Sequence, residues 1–370
     1  MTVAVIGTRG FPNVQGGVER HCEELYTRLA ARGVRVVVFS RSPYMKRVPR
    51  VRTWRGVRLQ KVWTPRHRGL EALWHSVASL LVARVQGVRL VHVHALGPGL
   101  VVPLARLLRM RVVFTHHGRD YMRQKWGFLA RWTLRAGEAA AVHYADEVLG
   151  VSMEIVEWLA SRFNREAGYA PNGIAVDDRT TAQVESTLAS FDLAPRGYAV
   201  TVARLVPEKG VHDLLDAIGD GSEVPCLVVV GGADHRSAYA ADLQTRSKGV
   251  TRFAGVQPHE VTLDLVRGAR LFVLPSYHEG LPIALLEAMA CGTPVVASDI
   301  APHREIITSG ENGWLVGAGD VSILHAVIVR VWKASAEERA GVAARGKRIV
   351  AESFSWDRTV EKVLAAYADR

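Results

Sequence analysis

Short, unbroken apolar runs rich in β-branched residues recur along the whole chain and constrain it most. They fall at 2–6, 34–39, 90–93, 112–114 and 148–151, then at 199–202, 226–230, 271–274, 295–297 and 314–316. Each is too short for a helix and lacks polar alternation, the mark of a strand buried on both faces of a parallel sheet. Helix-length segments at 18–31, 70–85, 128–142, 153–162, 211–218, 283–290 and 355–368 supply the crossovers that parallel pairing needs. The expected fold is α/β: two Rossmann-like, doubly wound parallel-sheet domains facing across a cleft. The turn cluster Ala170-Pro171-Asn172-Gly173 marks the break. This gives a first domain at 1–170, a second at 171–354 and a closing helix at 355–370.

Charge is unevenly split between these halves. Residues 1–180 carry 28 Lys and Arg against 13 Asp and Glu, a net of +15, whereas the rest carries −4. Residues 41–70 hold ten basic residues, no acidic one, and Trp54 and Trp63 among them. An anionic membrane surface, a nucleic acid and a solvated arginine-rich face all fit such a stretch. No RNA-binding signature accompanies it, so nucleic acid is not the expected partner. No apolar run reaches the length of a membrane span. The start of the chain lacks the basic region of a cleaved signal peptide. Cys22, Cys226 and Cys291 have neither disulfide-framework nor metal spacing, which points to a reducing cytoplasm.

In open parallel sheets, ligands bind at the carboxyl ends of strands, beside helix N-termini. The first such loop, 7–17, ends in Gly16-Gly17, which would let a phosphate approach backbone closely. A nicotinamide-cofactor reading fails there, because Arg9 replaces the second glycine of G-x-G-x-x-G and no acid closes the second strand. Arg41 leaves only a variant 2′-phosphate site. After the strand at 112–114 come His116 and His117. A histidine there could bridge the cleft as a hydrogen-bond donor, and no metal-binding motif accompanies the pair. His92 and His94 are expected to face opposite sides of their strand as satisfied core histidines.

The second half carries Arg204 and Lys209 in the loop after the strand at 199–202, where two cations could meet a diphosphate leaving group. The loop after 271–274 reads Glu279-Gly280-Leu281-Pro282-Ile283 and runs to Glu287. With Pro282 in the first turn, eight helical residues would rise about 12 Å and put both carboxylates on one side of an elongated ligand. A nucleotide sugar has that length, with its diphosphate over the free amides between the acids.

Taken together, these residues resemble the retaining glycosyltransferases of family 4, which have the GT-B fold. The resemblance rests on Gly16-Gly17, His117-Gly118, Pro171-Asn172-Gly173, Arg204 with Lys209-Gly210, Glu279 with Glu287, and Glu311-Asn312-Gly313-Trp314. The opening loop and the stretch from His117 to Gly127 look like a bacterial branch assigned to polysaccharide assembly and rhamnosyl transfer, with Tyr121 standing where that branch carries tryptophan. The resemblance implies that Arg204 and Lys209 neutralise the diphosphate. Glu279 would hold donor hydroxyls, with Gly280, Leu281, Pro282 and Ile283 around the phosphates and Glu287 on the ribose. Gly16 and Gly17 would close on the phosphates, and His117 would sit beside the anomeric carbon. It also implies a metal-independent reaction without a cofactor, a glycan or lipid-linked acceptor, and a closing helix that crosses back to the first domain. Asp120 and the basic residues Arg47, Arg50, Arg52 and Arg55 with Trp54 are the expected acceptor- or membrane-facing group, at the inner face of the cell membrane. The alternatives are a nucleotide-sugar epimerase or hydrolase on the same scaffold, and a non-catalytic binder of anionic ligands.

Overall fold

The computed structural model of the chain describes all residues except 13, 46–50, 66–70, 124–125, 176–178, 234–236, 248 and 369–370. They form two compact units: Met1–Gly173 with Trp356–Arg370, and Ile174–Ser355. No helix among the described residues is long and apolar enough to cross a membrane.

Unit 1 is built on eight strands: β1 (Thr2–Ile6), β2 (Arg35–Arg41), β3 (Val51–Trp54), β4 (Val57–Val62), β5 (Leu90–His94), β6 (Arg111–His116), β7 (Glu147–Gly150) and β8 (Gly168–Tyr169). Their order is β3-β4-β2-β1-β5-β6-β7-β8, parallel except for the β3–β4 hairpin at one edge. That hairpin comes from the arginine-rich stretch. Val57 and Leu59 are buried while Arg58 between them is exposed, the start of β4 alternating as a strand with one wet face does. Its turn, Arg55-Gly56, has φ of 44° and 82°, as a two-residue hairpin turn that follows strand twist requires. The crossovers are α1 (Gly17–Ala31), α2 (Glu71–Val85), α3 (Val102–Leu107), α4 (Phe128–Tyr144) and α5 (Met153–Phe163). Helices α2 and α4 both pack on a 3-10 turn at Pro98–Val101.

Unit 2 has six parallel strands: β9 (Ala199–Val202), β10 (Leu227–Val230), β11 (Thr251–Gly255), β12 (Leu271–Leu274), β13 (Val295–Ser298) and β14 (Trp314–Val316). Their order is β11-β10-β9-β12-β13-β14. Its helices are α6 (Thr181–Ala189), α7 (Val211–Ile218), α8 (Ala238–Arg246), α9 (His259–Gly268), α10 (Ile283–Ala290), α11 (Ala301–Arg304), α12 (Val321–Lys333) and α13 (Ala336–Ser353). Leu214, Leu227, Leu271, Val296 and Ile328 lie in its buried core. The last helix, α14 (Trp356–Tyr367), belongs to unit 1 and packs on α1.

Strand order reverses between β1 and β5 in unit 1 and between β9 and β12 in unit 2. These are the topological switch points at which open α/β sheets bind ligands. The loops that follow β1, β9 and β12 are the ones singled out from sequence.

Candidate functional site

In unit 2 the loops after β9 and β12 are locked together by backbone. The Tyr277 amide donates to the Glu208 carbonyl at 2.9 Å. Gly210 has φ of 62°, and a Cβ there would lie 2.1 Å from the Pro275 carbonyl oxygen, so only glycine lets the loops close. That closure brings Lys209 and Glu279 together. Lys209 Nζ donates to Glu279 Oε1 at 2.5 Å, and Ser276 Oγ donates to the same oxygen at 2.8 Å. The Glu279 side chain is 9% exposed and that of Lys209 17%. Burial pushes the Glu279 carboxyl up, but Lys209, His303 and the two hydrogen bonds together outweigh it and hold the group below the usual carboxylate range. The site therefore presents a fixed carboxylate beside a cation. Arg204 lies half-buried earlier in the same loop.

Glu279 does not lie on the helix. Pro282 is the N-cap of α10 rather than part of its first turn, and the amides of Leu285 and Leu286 bond to its carbonyl at 3.1 and 3.2 Å. Only 283–287 of the span is helical, a rise of about 6 Å, so the expected helical spacing of the two acids is replaced by a bent loop leading into a helix. Proline fixed the boundary: it lacks the N–H that a longer helix would use. Leu281 is buried beneath the loop, and Gly280 and Ile283 are half-buried at its surface. The amides of Ile283 and Ala284 fall in the first turn, where no intrahelical acceptor exists. Glu287 lies one turn on, with His259 Nε2 3.5 Å from its Oε1.

Sequence reasoning missed His303. It is fully buried on α11, its Nδ1 donates to the Ser298 carbonyl at 2.7 Å, and its Nε2 has no hydrogen-bond partner among the described residues. Burial lowers its pKa despite the pull of Glu279. No spacing signal marks this residue; only the third dimension brings it to Glu279.

In unit 1, the 7–16 loop is held from within. Arg9 Nε donates to Glu19 Oε1 at 3.1 Å, and its Nη2 donates to the Gln15 carbonyl at 2.5 Å. Gly16 has φ of 150°, and a Cβ on it would strike Glu19 Oε2 at 2.0 Å, whereas one on Gly17 would meet nothing within 4 Å. Gly16 thus serves the ion pair, and Gly17 leaves the first turn of α1 open. Arg41, the residue considered for a 2′-phosphate, is paired with Glu71 at 3.3 Å.

His92 and His94 do not face opposite sides. Residues two apart on a strand share a face, and the two rings stack with centroids 4.3 Å apart. Both are fully buried and hydrogen-bonded. His92 binds Thr115 Oγ1 and the Tyr367 hydroxyl, each at 2.7 Å. His94 Nε2 lies 2.5 Å from the Tyr26 hydroxyl, and its Nδ1 lies 2.8 Å from His117 Nε2. The hydroxyls of Tyr26 and Tyr367 are themselves bonded. One chain of hydrogen bonds therefore runs from Thr115 through α14 and α1 to His117. His21 packs edge-on against His117 and donates from Nδ1 to Asn172 Oδ1 at 2.8 Å. Burial, opposed by that bond, brings the His21 pKa to about 4. His92, His94 and His117 are pushed well down by burial and then by neighbouring histidines. Ring nitrogens of His21, His94 and His117 lie within 4.8 Å of one another, close enough for a metal. Burial and mutual repulsion favour the neutral form of all three rings, and the hydrogen bond joining His94 to His117 engages one ring nitrogen of each. His116 turns the other way and donates from Nε2 to buried Glu138 at 2.9 Å.

The remaining expected residues lie apart from this network. Asp120 pairs with Arg123 at 2.7 Å. Arg52 and Arg55 stack over Trp54, 5.2 and 5.5 Å from its ring centroid, at the sheet edge. Arg47 and Arg50 lie outside the described residues. Pro171-Asn172-Gly173 is used for packing: a Cβ on Gly173 would sit 2.5 Å from the Trp356 amide nitrogen.

Both units have recognisable counterparts. Residues 15–178 match the family model described as Glycosyltransferase Family 4, and residues 193–348 match that of Glycosyl transferases group 1. The chain thus carries glycosyltransferase domains in both units, and its two parallel-sheet α/β domains are those of the GT-B fold. It is 29% identical to the D-inositol 3-phosphate glycosyltransferase of Gordonia bronchialis over 413 aligned residues, covering 99% of this chain and 88% of that protein. Sucrose-phosphate synthase from Thermosynechococcus elongatus shares the fold with a TM-score of 0.83 and 24% identity, over 99% of this chain and 98% of its own. Anabaena HepE in complex with UDP and glucose does so with a TM-score of 0.82 and 18% identity, over 99% of each chain.

Proposed function

We propose that this glycosyltransferase moves a sugar, with retention, from a nucleotide-diphosphate sugar to an acceptor hydroxyl of a lipid-linked or cell-surface glycan precursor. The observation that carries the reading is the buried Lys209–Glu279 pair at the switch point of unit 2, held at 2.5 Å by two interlocked loops. An anionic ligand there gains Lys209 without either side chain having to move far, which is how preorganised charge favours a transition state. In this reading Lys209 and Arg204 take up the charge of the departing diphosphate, and the first-turn amides of α10 help them. Glu279 accepts hydrogen bonds from sugar hydroxyls, and Glu287 from the ribose. The departing phosphate receives the proton of the acceptor hydroxyl on the same face as the breaking bond, so no side-chain nucleophile and no metal is assigned. His117 and the open first turn of α1 belong to the acceptor side.

A thermal-shift screen against nucleoside diphosphates and their sugars tests the donor, since a ligand stabilises by RT ln(1 + [L]/Kd). UDP-glucose is the first to try, because HepE is in complex with UDP and glucose. Donor-only incubation must leave the sugar unepimerised and essentially unhydrolysed, and the acceptor product must keep the anomeric configuration by NMR. Turnover of the donor alone at the rate seen with acceptor would replace a transferase with a hydrolase or epimerase.

A further inference from the structure

Most of the exposed aromatic side chains of unit 1 lie along one rim, whereas Val85, Leu107 and Tyr144 stand singly at the far ends of their helices. Phe128 is 82% exposed, Leu129 77%, Trp132 66% and Met122 40%; Trp63 is 68% and Trp74 51%. Trp63 follows β4 directly, and its ring meets Trp74 near the start of α2 edge-on at 6.0 Å. Phe128, Leu129 and Trp132 open α4, which follows β6. Strands β4 and β6 run parallel within one sheet, so the starts of both helices lie along its carboxyl edge, the edge that also carries His117 and Asp120. Both helices pack on the same 3-10 turn at Pro98–Val101, which places them on one face of the sheet with that turn between them.

We propose that this rim, rather than the β3–β4 hairpin, docks unit 1 on an anionic lipid bilayer. Charge complementarity selects that occupant. Residues 121–137 hold Arg123, Lys125, Arg131 and Arg135 and no acidic residue. At about 100° per residue, Phe128, Trp132 and Leu129 span a narrow arc of α4, with Arg135 and Arg131 along its border. Aromatic rings flanked by guanidinium groups match an interface of acyl chains below anionic headgroups. The hairpin offers less: Trp54 is half-buried and Val57 and Leu59 are buried, so its described residues show the bilayer no fully exposed apolar side chain. A rim placed beside His117 would deliver a lipid-linked acceptor directly, a consequence that rests on the proposed acceptor; the docking itself does not.

Co-sedimentation of the full chain with phosphatidylglycerol-containing and pure phosphatidylcholine vesicles tests this. Anionic vesicles should bind at least tenfold more tightly than neutral ones, and less so at high salt. The double variant Phe128→Ser/Trp132→Ser should lose at least tenfold in binding while its thermal shift with UDP stays unchanged. Arg52→Ser/Arg55→Ser should stay within twofold. Equal binding to both vesicle types, loss through the hairpin variant alone, or a concentration-dependent dimer that the Phe128/Trp132 variant abolishes would each overturn the assignment. Donor binding is read separately, so failure here leaves the transferase reading standing.

Discussion

Lys209 does two jobs that one substitution can separate. It balances a buried carboxylate, and in the proposed reaction it also meets the leaving group. Lys209→Ala should reduce kcat at least a hundredfold, the usual cost of one preorganised electrostatic contact. It should also cost stability, about 2–3 kcal/mol, because Glu279 loses its counter-charge while staying buried. Lys209→Arg should recover much of the melting temperature and little of the rate; turnover unchanged in Lys209→Ala would remove this residue from the site. At this scale the sequence was readable wherever chemistry sits next to its own turn signal. Lys209-Gly210 and Glu279 to Pro282 both follow short buried strands, and each contains the glycine or proline that shapes the loop. His303, Tyr26 and Tyr367 carry no such local mark, because Glu279, His94 and His92, the groups they respectively meet, lie 24 or more residues away in sequence.

Strand β5, helices α1 and α2 and the loop after β6 give unit 1 an acid-sensitive interior. His21, His75, His92, His94 and His117 all have folded-state pKa values below that of a free imidazole, with His21 near 4 and His75 near 3. The unfolded chain binds their protons near pH 6.5 and the folded one does not. Their contribution is therefore complete above pH 6.5 and declines as the pH falls toward the folded values. Each proton taken up on unfolding costs about 1.4 kcal/mol per pH unit in that window. The melting temperature of unit 1 should fall steeply between pH 6.5 and 4.5; a flat profile across that range would show that the histidines are not held neutral. Strands were legible when both faces were buried, and helices where an apolar stripe marked one face, as in α5. Strands β1, β6 and β12 are nearly continuous apolar runs. The β3–β4 hairpin has three arginines and a lysine among its twelve residues, and α6, α8 and α13 keep most of their surface in water, so their apolar signal is diluted.

The chain leaves unit 1 after Gly173 and returns to it at Trp356. Two folding units on one chain should give two calorimetric transitions. Truncation after Ser355 should lower the transition of unit 1, which loses Tyr367 from His92 and Trp356 from Gly173, and leave that of unit 2 in place. A shift of both transitions by the same amount would count against this division. The order of elements also bears on how the protein is made. The ribosome finishes the 182 residues of unit 2 before it supplies the last helix of unit 1. At about 5–20 residues per second that interval is roughly 10–40 s. Through it the nascent first sheet has no Tyr367 for His92, so the hydrogen-bonded chain that ends at His117 is complete only once α14 has emerged.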